Sequence, residues 1–317
     1  MATFIEKIKK IKIPGDTIVI PMFIGVTIAS LFPQVFEIGG FTTAMIKGTG
    51  PLVGVFMLFI GASLSFKNAP KAMMRGGVII FVKVAISVII GLSVAKFMNN
   101  SLFGLSSLAI IGAMSVANNA LYSGITASYG TEIDRGAVAM TTISVGPTVA
   151  MIALSSSGQA NIPFLQIIGS ILPLVLGMLL GNFSPFLKKH LTAGITPIII
   201  VLGFVLGANM NFRQLISGGF AGILLGLIVV GVGGVFCILA DKATGGTGIA
   251  GAAISSTAAS AVATPAAIAL IDPNLASLVA VATPQIAASV IVTAILTPML
   301  TGYIAKHSKK SSVTTLI

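Results

Sequence analysis

Long apolar runs broken by charges, prolines and glycines dominate this chain. Divided at those breaks it falls into ten spans, at about residues 14–32, 43–64, 76–97, 105–130, 135–157, 163–183, 192–210, 216–239, 246–270 and 276–304. Each is close to the roughly 20 residues that a helix needs to cross the hydrocarbon of a bilayer, at about 1.5 Å per residue. Two spans differ from the rest because their centres are small and polar: Ser115, Asn118 and Asn119 in the fourth, and Ser255, Ser256, Thr257, Ser260 and Thr264 in the ninth. An unpaired polar group in hydrocarbon costs several kcal/mol, so these two spans are expected to face protein, water or cargo instead of lipid. The pattern predicts two helices interrupted near the midplane. Thr49, between Gly48 and Gly50 and ahead of Pro51, marks a weak point in the second span as well.

The halves of the chain resemble each other. Pro21, Gly25 and Pro33 recur at the same spacing as Pro173, Gly177 and Pro185, GASLSFK at Gly61–Lys67 returns as GANMNFR at Gly207–Arg213, and Gly112-Ala113 matches Gly251-Ala252. The register shift falls slowly along the chain, from 152 to 146 to 139, as a duplication with small length changes requires. With five spans per unit, the second copy must enter the membrane upside down. The predicted fold is therefore an all-α polytopic membrane protein of ten transmembrane helices in two inverted five-helix repeats, with helices four and nine discontinuous and crossing. Its expected divisions are a cytoplasmic segment at 1–12, a first repeat at 13–158, a second at 159–305 and a cytoplasmic tail at 306–317. Residues 1–12 are expected to be retained and not removed as a signal.

Composition agrees: 56% of residues are hydrophobic and 8% charged, against about a quarter charged in a soluble domain. A net charge of +11 suggests nucleic acid only until the bases are located. Fourteen of the 18 fall on alternate connections: Lys7, Lys9, Lys10, Lys12, Lys67, Lys71, Arg75, Arg135, Lys188, Lys189, Lys242, Lys306, Lys309 and Lys310. Lys47, Lys96 and Arg213 fall on the other side, and Lys83 inside a span. By the positive-inside rule both termini are cytoplasmic, and the charge serves orientation, not nucleic acid. One cysteine, Cys237, excludes an internal disulfide.

Inverted repeats with broken helices at matched positions point to a secondary transporter, because freed amides favour an anion and freed carbonyls a cation. The expected substrate-binding residues are Asn118, Asn119, Tyr122, Ser255, Ser256, Thr257, Thr264 and Lys83. Ser115, Ser260, Thr283 and Gln285 are expected at a coupling ion, either a proton or sodium; no other cofactor is implied. Two readings of Lys83 compete: pairing with a substrate carboxylate, or snorkelling to the headgroups. Tyr122 is either a site residue or an interfacial anchor. The acids look peripheral: Asp16 capping the first helix, Glu132 and Asp134 the fifth, Asp241 ending the eighth and Asp272 in a turn. If protons are coupled, Asp16, Asp241 or the substrate's own carboxylate carries them. No histidine–acid metal cluster, nucleophile–histidine pair or GxxxxGK[ST] loop is present in any span, which disfavours an enzyme and an ATP-driven pump. A passive channel is the remaining alternative, and it would not concentrate its substrate.

Three blocks carry a family resemblance: KIKIPGDTIVIPMFIG near the start, NNALYSGITASYGTEIDRGA in the middle, and ADK followed by GGTGIAGAAISSTAASAVATP. With IVTAILTPML they make the chain similar, over nearly its whole length, to the bacterial 2-keto-3-deoxygluconate permeases. The resemblance implies import of a sugar-acid anion with protons across the bacterial inner membrane. It also implies a fold like that of the bile acid sodium symporters, with broken helices four and nine. It carries over onto Asn118, Tyr122, Ser255, Ser256 and Thr264. Acids that the resemblance implies near Ser115 and Thr247 are absent here, so the coupling ion and the sugar acid stay open, with a sodium-coupled carrier of another organic anion as the alternative.

Overall fold

The computed structural model describes residues 16–141, 164–265 and 276–314, and these are helical nearly throughout. In chain order the helices are α1 (Asp16–Leu31), α2 (Gly40–Lys47), α3 (Thr49–Ser63), α4 (Ala69–Phe97), α5 (Ser107–Ser115), α6 (Asn119–Tyr129), α7 (Glu132–Gly136) and α8 (Val138–Thr141). They continue as α9 (Phe164–Phe183), α10 (Pro185–Ala193), α11 (Ile195–Ala208), α12 (Phe212–Ile228), α13 (Gly234–Ala243), α14 (Ile249–Ala253) and α15 (Ala276–Thr314). A π-turn at Val229–Gly233 joins α12 to α13, and a 3-10 turn at Ala259–Ala263 follows α14.

Among the described residues four helices are long and apolar enough to span a bilayer: Ala69–Phe97, Pro185–Ala208, Ile216–Ala243 and Ser277–Ser308. Two bent pairs bring the number to six, one bent by 65° at the Gly48 weak point and one by 45° between α5 and α6. Two shorter apolar helices, Ile20–Leu31 and Leu172–Phe183, lie at predicted spans one and six. Most of predicted span 135–157, the end of 246–270, and Asp272 lie outside the described residues. Large apolar side chains such as Phe41, Phe81, Ile216 and Phe220 are exposed on the perimeter, as a lipid-facing surface demands.

The helices sort into two groups that do not follow the division at residue 158. In one, α1 lies along α11 and α3 along α9, with α10 against α3; in the other, α4 packs on α5 and α13, and α12 on α15. Glycines set the close approaches of the first group. A side chain on Gly207 would strike the Met22 carbonyl, and one on Gly61 would strike the Leu174 carbonyl. Gly25 faces Phe204 O and Ala208 N, while Gly177 faces Leu58 O and Ala62 N. Adding 152 to 22 and 25, and 146 to 58, 61 and 62, exchanges one set of contacts for the other. A hydrogen bond follows the same exchange: the Phe212 amide donates to Ser30 Oγ at 3.0 Å, and the Phe66 amide to Asn182 Oδ1 at 3.3 Å. Between the groups lies a small apolar cleft of about 30 Å³, lined on one side by Met22, Phe23 and Val26 and on the other by Ile291, Ala294 and Ile295.

Candidate functional site

Both predicted interruptions are present. Helix α5 stops at Ser115 because Val116 and Asn118 are extended, and α6 starts when Asn118 Oδ1 accepts the Leu121 amide at 3.0 Å, an ordinary asparagine N-cap. In the second half, α14 ends at Ala253 and residues 255–258 run without helix until the 3-10 turn. The two breaks meet. Val116 O accepts the Ala258 amide at 3.1 Å, and the Asn118 amide donates to Ser256 Oγ at 3.2 Å. Backbone groups freed by one break are thus partly satisfied by the other, which is how non-helical chain can exist at membrane depth.

Helix α15 supplies the remaining partners. Thr293 Oγ1 accepts the Thr257 amide at 3.0 Å, Ser289 Oγ donates to Thr257 Oγ1 at 3.2 Å, and Thr297 Oγ1 donates to the Ser255 carbonyl at 2.7 Å. All three are fully buried. They were missed in the sequence, although Ser289, Thr293, Thr297 and Thr301 recur every four residues and so form one polar stripe along an apolar helix. Lys83 completes the group: its ammonium donates to Ser256 O at 3.2 Å with the residue only 3% exposed. It is turned inward, not snorkelled. An ammonium has three donors, and one bond to a carbonyl leaves positive charge at the crossing.

The other predicted residues divide. Ser115 and Ser255 are buried and bond back to their own chain, at Ile111 O and Ala252 O. Thr264 is buried against Gly112, with its hydroxyl lacking a partner, and Asn119 Oδ1 also lacks one. Asn119 is half-buried and Ser260 exposed. Tyr122 neither faces the crossing nor sits at an interface: its buried hydroxyl donates to the Asp134 carbonyl at 2.5 Å. Gln285 Nε2 donates to Gly104 O at 2.9 Å, which ties α15 to the loop before α5, and Thr283 is half-buried.

A second polar cluster contradicts the peripheral placement of the acids. Helix α4 begins at Ala69, so Arg75 belongs to the helix and not to a connection, and its guanidinium is buried. Arg75 Nη1 lies 2.6 Å from Asp134 Oδ1, and Arg75 Nε lies 3.4 Å from Asp241 Oδ1. Both carboxylates are 0% exposed. Asp241 lies in the last turn of α13, which ends at Ala243, and Asp241 Oδ2 accepts the Gly251 amide at 3.2 Å. Asp134 closes a capping box with Thr131 at the start of α7. Glu132 caps elsewhere, accepting from the Ser65 amide and from Asn68 Nδ2. Partial burial pushes the Glu132 carboxyl up, but the Ser65 and Asn68 hydrogen bonds and nearby Lys188 outweigh it and hold the pKa below its ordinary value. Among the described residues no three His, Cys, Asp or Glu side chains gather as metal ligands.

A family model described as 2-keto-3-deoxygluconate permease matches residues 5–310. The chain belongs to the 2-keto-3-deoxygluconate permease family. Its relatives include 2-keto-3-deoxygluconate permease 1 of Salmonella typhimurium, 48% identical over 303 residues covering 95% of this chain and 96% of the relative. The 2-keto-3-deoxygluconate permease of Enterobacter sp. is 36% identical over 304 residues, 93% of this chain and 92% of the relative. That of Pectobacterium carotovorum is 36% identical over 304 residues, 93% and 96% of the two chains. These relatives are named as permeases, not enzymes, and the resemblance drawn from the three sequence blocks holds along the chain.

Proposed function

We propose that the chain is a secondary active transporter that imports a small sugar-acid anion, of which 2-keto-3-deoxygluconate is the one its relatives are named for. The observation that carries this reading is the junction of the two helix breaks with a buried ammonium on it. A hydroxylated anion needs a positive group for its carboxylate and a mixed set of donors and acceptors for its hydroxyls. Lys83 supplies the first. Asn118, Asn119 and the Ser255–Thr257 run supply the second. In this arrangement most of those hydroxyls are tied to one another or to α15, so cargo replaces protein–protein hydrogen bonds as the crossing opens.

The exchange of contacts between α1–α11 and α3–α9 supports a ten-span inverted repeat, and so does the matched depth of the breaks. Alternating access then follows from movement of one helix group past the other along the apolar cleft. In this reading the protein sits in the bacterial inner membrane with both termini cytoplasmic, as the basic connections direct. The test is uptake of labelled sugar acid by cells making Asn118→Ala or Thr257→Val. Both variants are expected to insert normally and to lose accumulation by at least about tenfold, equivalent to about 1.4 kcal/mol. Wild-type uptake in both would separate the crossing from transport.

A further inference from the structure

The cluster around Arg75 is assigned no part in holding the sugar acid, yet it buries two carboxylates against one guanidinium. We propose that Asp241 is a proton-binding site of the transport cycle, with Arg75 and Asp134 as the fixed ion pair beside it. This inference rests on the transport reading above and names the residue that carries the coupling ion.

The two carboxylates are held very differently. Asp134 Oδ1 takes Arg75 Nη1 at 2.6 Å, and its Oδ2 takes both the amide and the hydroxyl of Thr131 at 2.9 Å. It is fully paired. Asp241 accepts the Gly251 amide at 3.2 Å, with the Gly248 amide also turned to it, and faces Arg75 Nε across 3.4 Å; Asp241 Oδ1 and Arg75 Nε are both buried without a hydrogen bond. Two buried carboxylates cannot both be fully compensated by one guanidinium, and the less well held of the pair is the one that takes up a proton.

Among the described residues Arg75 is the one cation within ion-pair distance of Asp241. On α4, Lys83 is eight residues from Arg75, about 12 Å along the helix, and points to Ser256 and Cys237. Lys242 is exposed. The described part of α14 carries no ionisable side chain and, with Gly248 before it, offers the amides of Gly248 and Gly251; the end of α15, which reaches the Thr247 carbonyl through Ser308, carries Lys306 and His307, both exposed. Beside Asp134 lie the Tyr122 hydroxyl, which is spent on the Asp134 carbonyl, and Arg135, half-buried at the next position in the chain.

The position also connects the proton to the cargo. Asp241 holds the Gly251 amide on α14, and α14 ends two residues later in the break that contains Ser255, Ser256 and Thr257. When a proton entering from one aqueous side adds to the Asp241 carboxylate, the group becomes neutral and the guanidinium keeps only Asp134. The tie between α13 and α4 is lost at that moment, and it reforms when the proton leaves to the other side. One proton moving with one monovalent anion carries no net charge, so uptake answers to the pH gradient and not to membrane potential.

The test uses purified full-length protein in liposomes, with labelled 2-keto-3-deoxygluconate and a trapped pH dye. Wild type is expected to concentrate the anion about tenfold per pH unit at one proton per anion, with proton entry in step. Asp241→Asn is expected to lose both the proton entry and the concentration above equilibrium. Asp241→Glu, which keeps a carboxyl and guards against a misfolded amide variant, is expected to restore proton entry with a shifted pH midpoint. Gradient-driven accumulation with proton entry in the Asn variant, or an unshifted midpoint in the Glu variant, would overturn the assignment. So would wild-type accumulation driven by sodium without proton entry. Wild-type liposomes that move no sugar acid under any gradient would remove the transport reading itself.

Discussion

Single residues separate cargo recognition from scaffolding. Lys83 was ambiguous in the sequence because periodicity places it on a face but not its ammonium. Burial at Ser256 O settles the direction in which it points. Replacing it by Gln keeps the volume and removes the charge, so the apparent KM for the sugar acid is expected to rise about tenfold or more while membrane insertion is unchanged. An unchanged KM would leave Lys83 a structural donor. Glu132 gives a pH-dependent control away from the crossing. Its pKa is held down in the folded protein, so its stabilisation is present above the ordinary carboxylate range and is lost as pH falls through the folded value. Glu132→Gln is therefore expected to unfold more easily than wild type near neutral pH, by at most about 1 kcal/mol given its exposure, and equally at acid pH. A gap that persists at acid pH would contradict this. The sequence made Ser115, Asn118 and Ser255–Thr257 visible because polar groups in an apolar run are conspicuous. It misplaced Tyr122 and Arg75 and did not show the partners of Asp241, because those partners lie on other helices and share no local spacing.

At the scale of elements, the breaks were legible and their mutual pairing was not. Asn118 announces a helix start by its capping chemistry, and the Ser255–Ala258 run has no helix-specific pattern to hold it. That Val116 and Ala258 should pair could not be read from spacing. Helix packing follows the repeated glycines. Because Gly61 and Gly207 sit against main-chain carbonyls of Leu174 and Met22, no flexible side chain can yield. Gly61→Val and Gly207→Val are each expected to cost about 1–3 kcal/mol by overpacking and to do so alike, as equivalent positions in two copies. Thermal unfolding in detergent measures this, and wild-type stability in either variant would deny the close approach. By contrast Gly169, with nothing nearby for a Cβ to meet, should tolerate alanine.

For the whole molecule, the linear halves and the packed groups are different partitions. The proposed repeat would divide the chain near residue 158, whereas α1 and α3 pack with α9 to α11, α4 packs with α5 and α13, and α12 packs with α15. An inverted repeat produces this interleaving when equivalent elements of both copies join the same group, and only contacts across the chain reveal it. The proposed inversion would put the matched segments Gly61–Lys67 and Gly207–Arg213 on opposite sides of the membrane. Cysteines placed at Lys67 and Arg213 are expected to react with an impermeant maleimide from opposite sides, Lys67 from the cytoplasm, against little background from buried Cys237. Labelling from one side alone would exclude inversion. Most direct of all is wild-type uptake of labelled 2-keto-3-deoxygluconate into liposomes under proton and sodium gradients imposed separately. Saturable uptake that rises above the external concentration under one gradient, and collapses when that gradient is dissipated, is the predicted result; flux that only equilibrates, linear in concentration and indifferent to both gradients, would contradict a carrier.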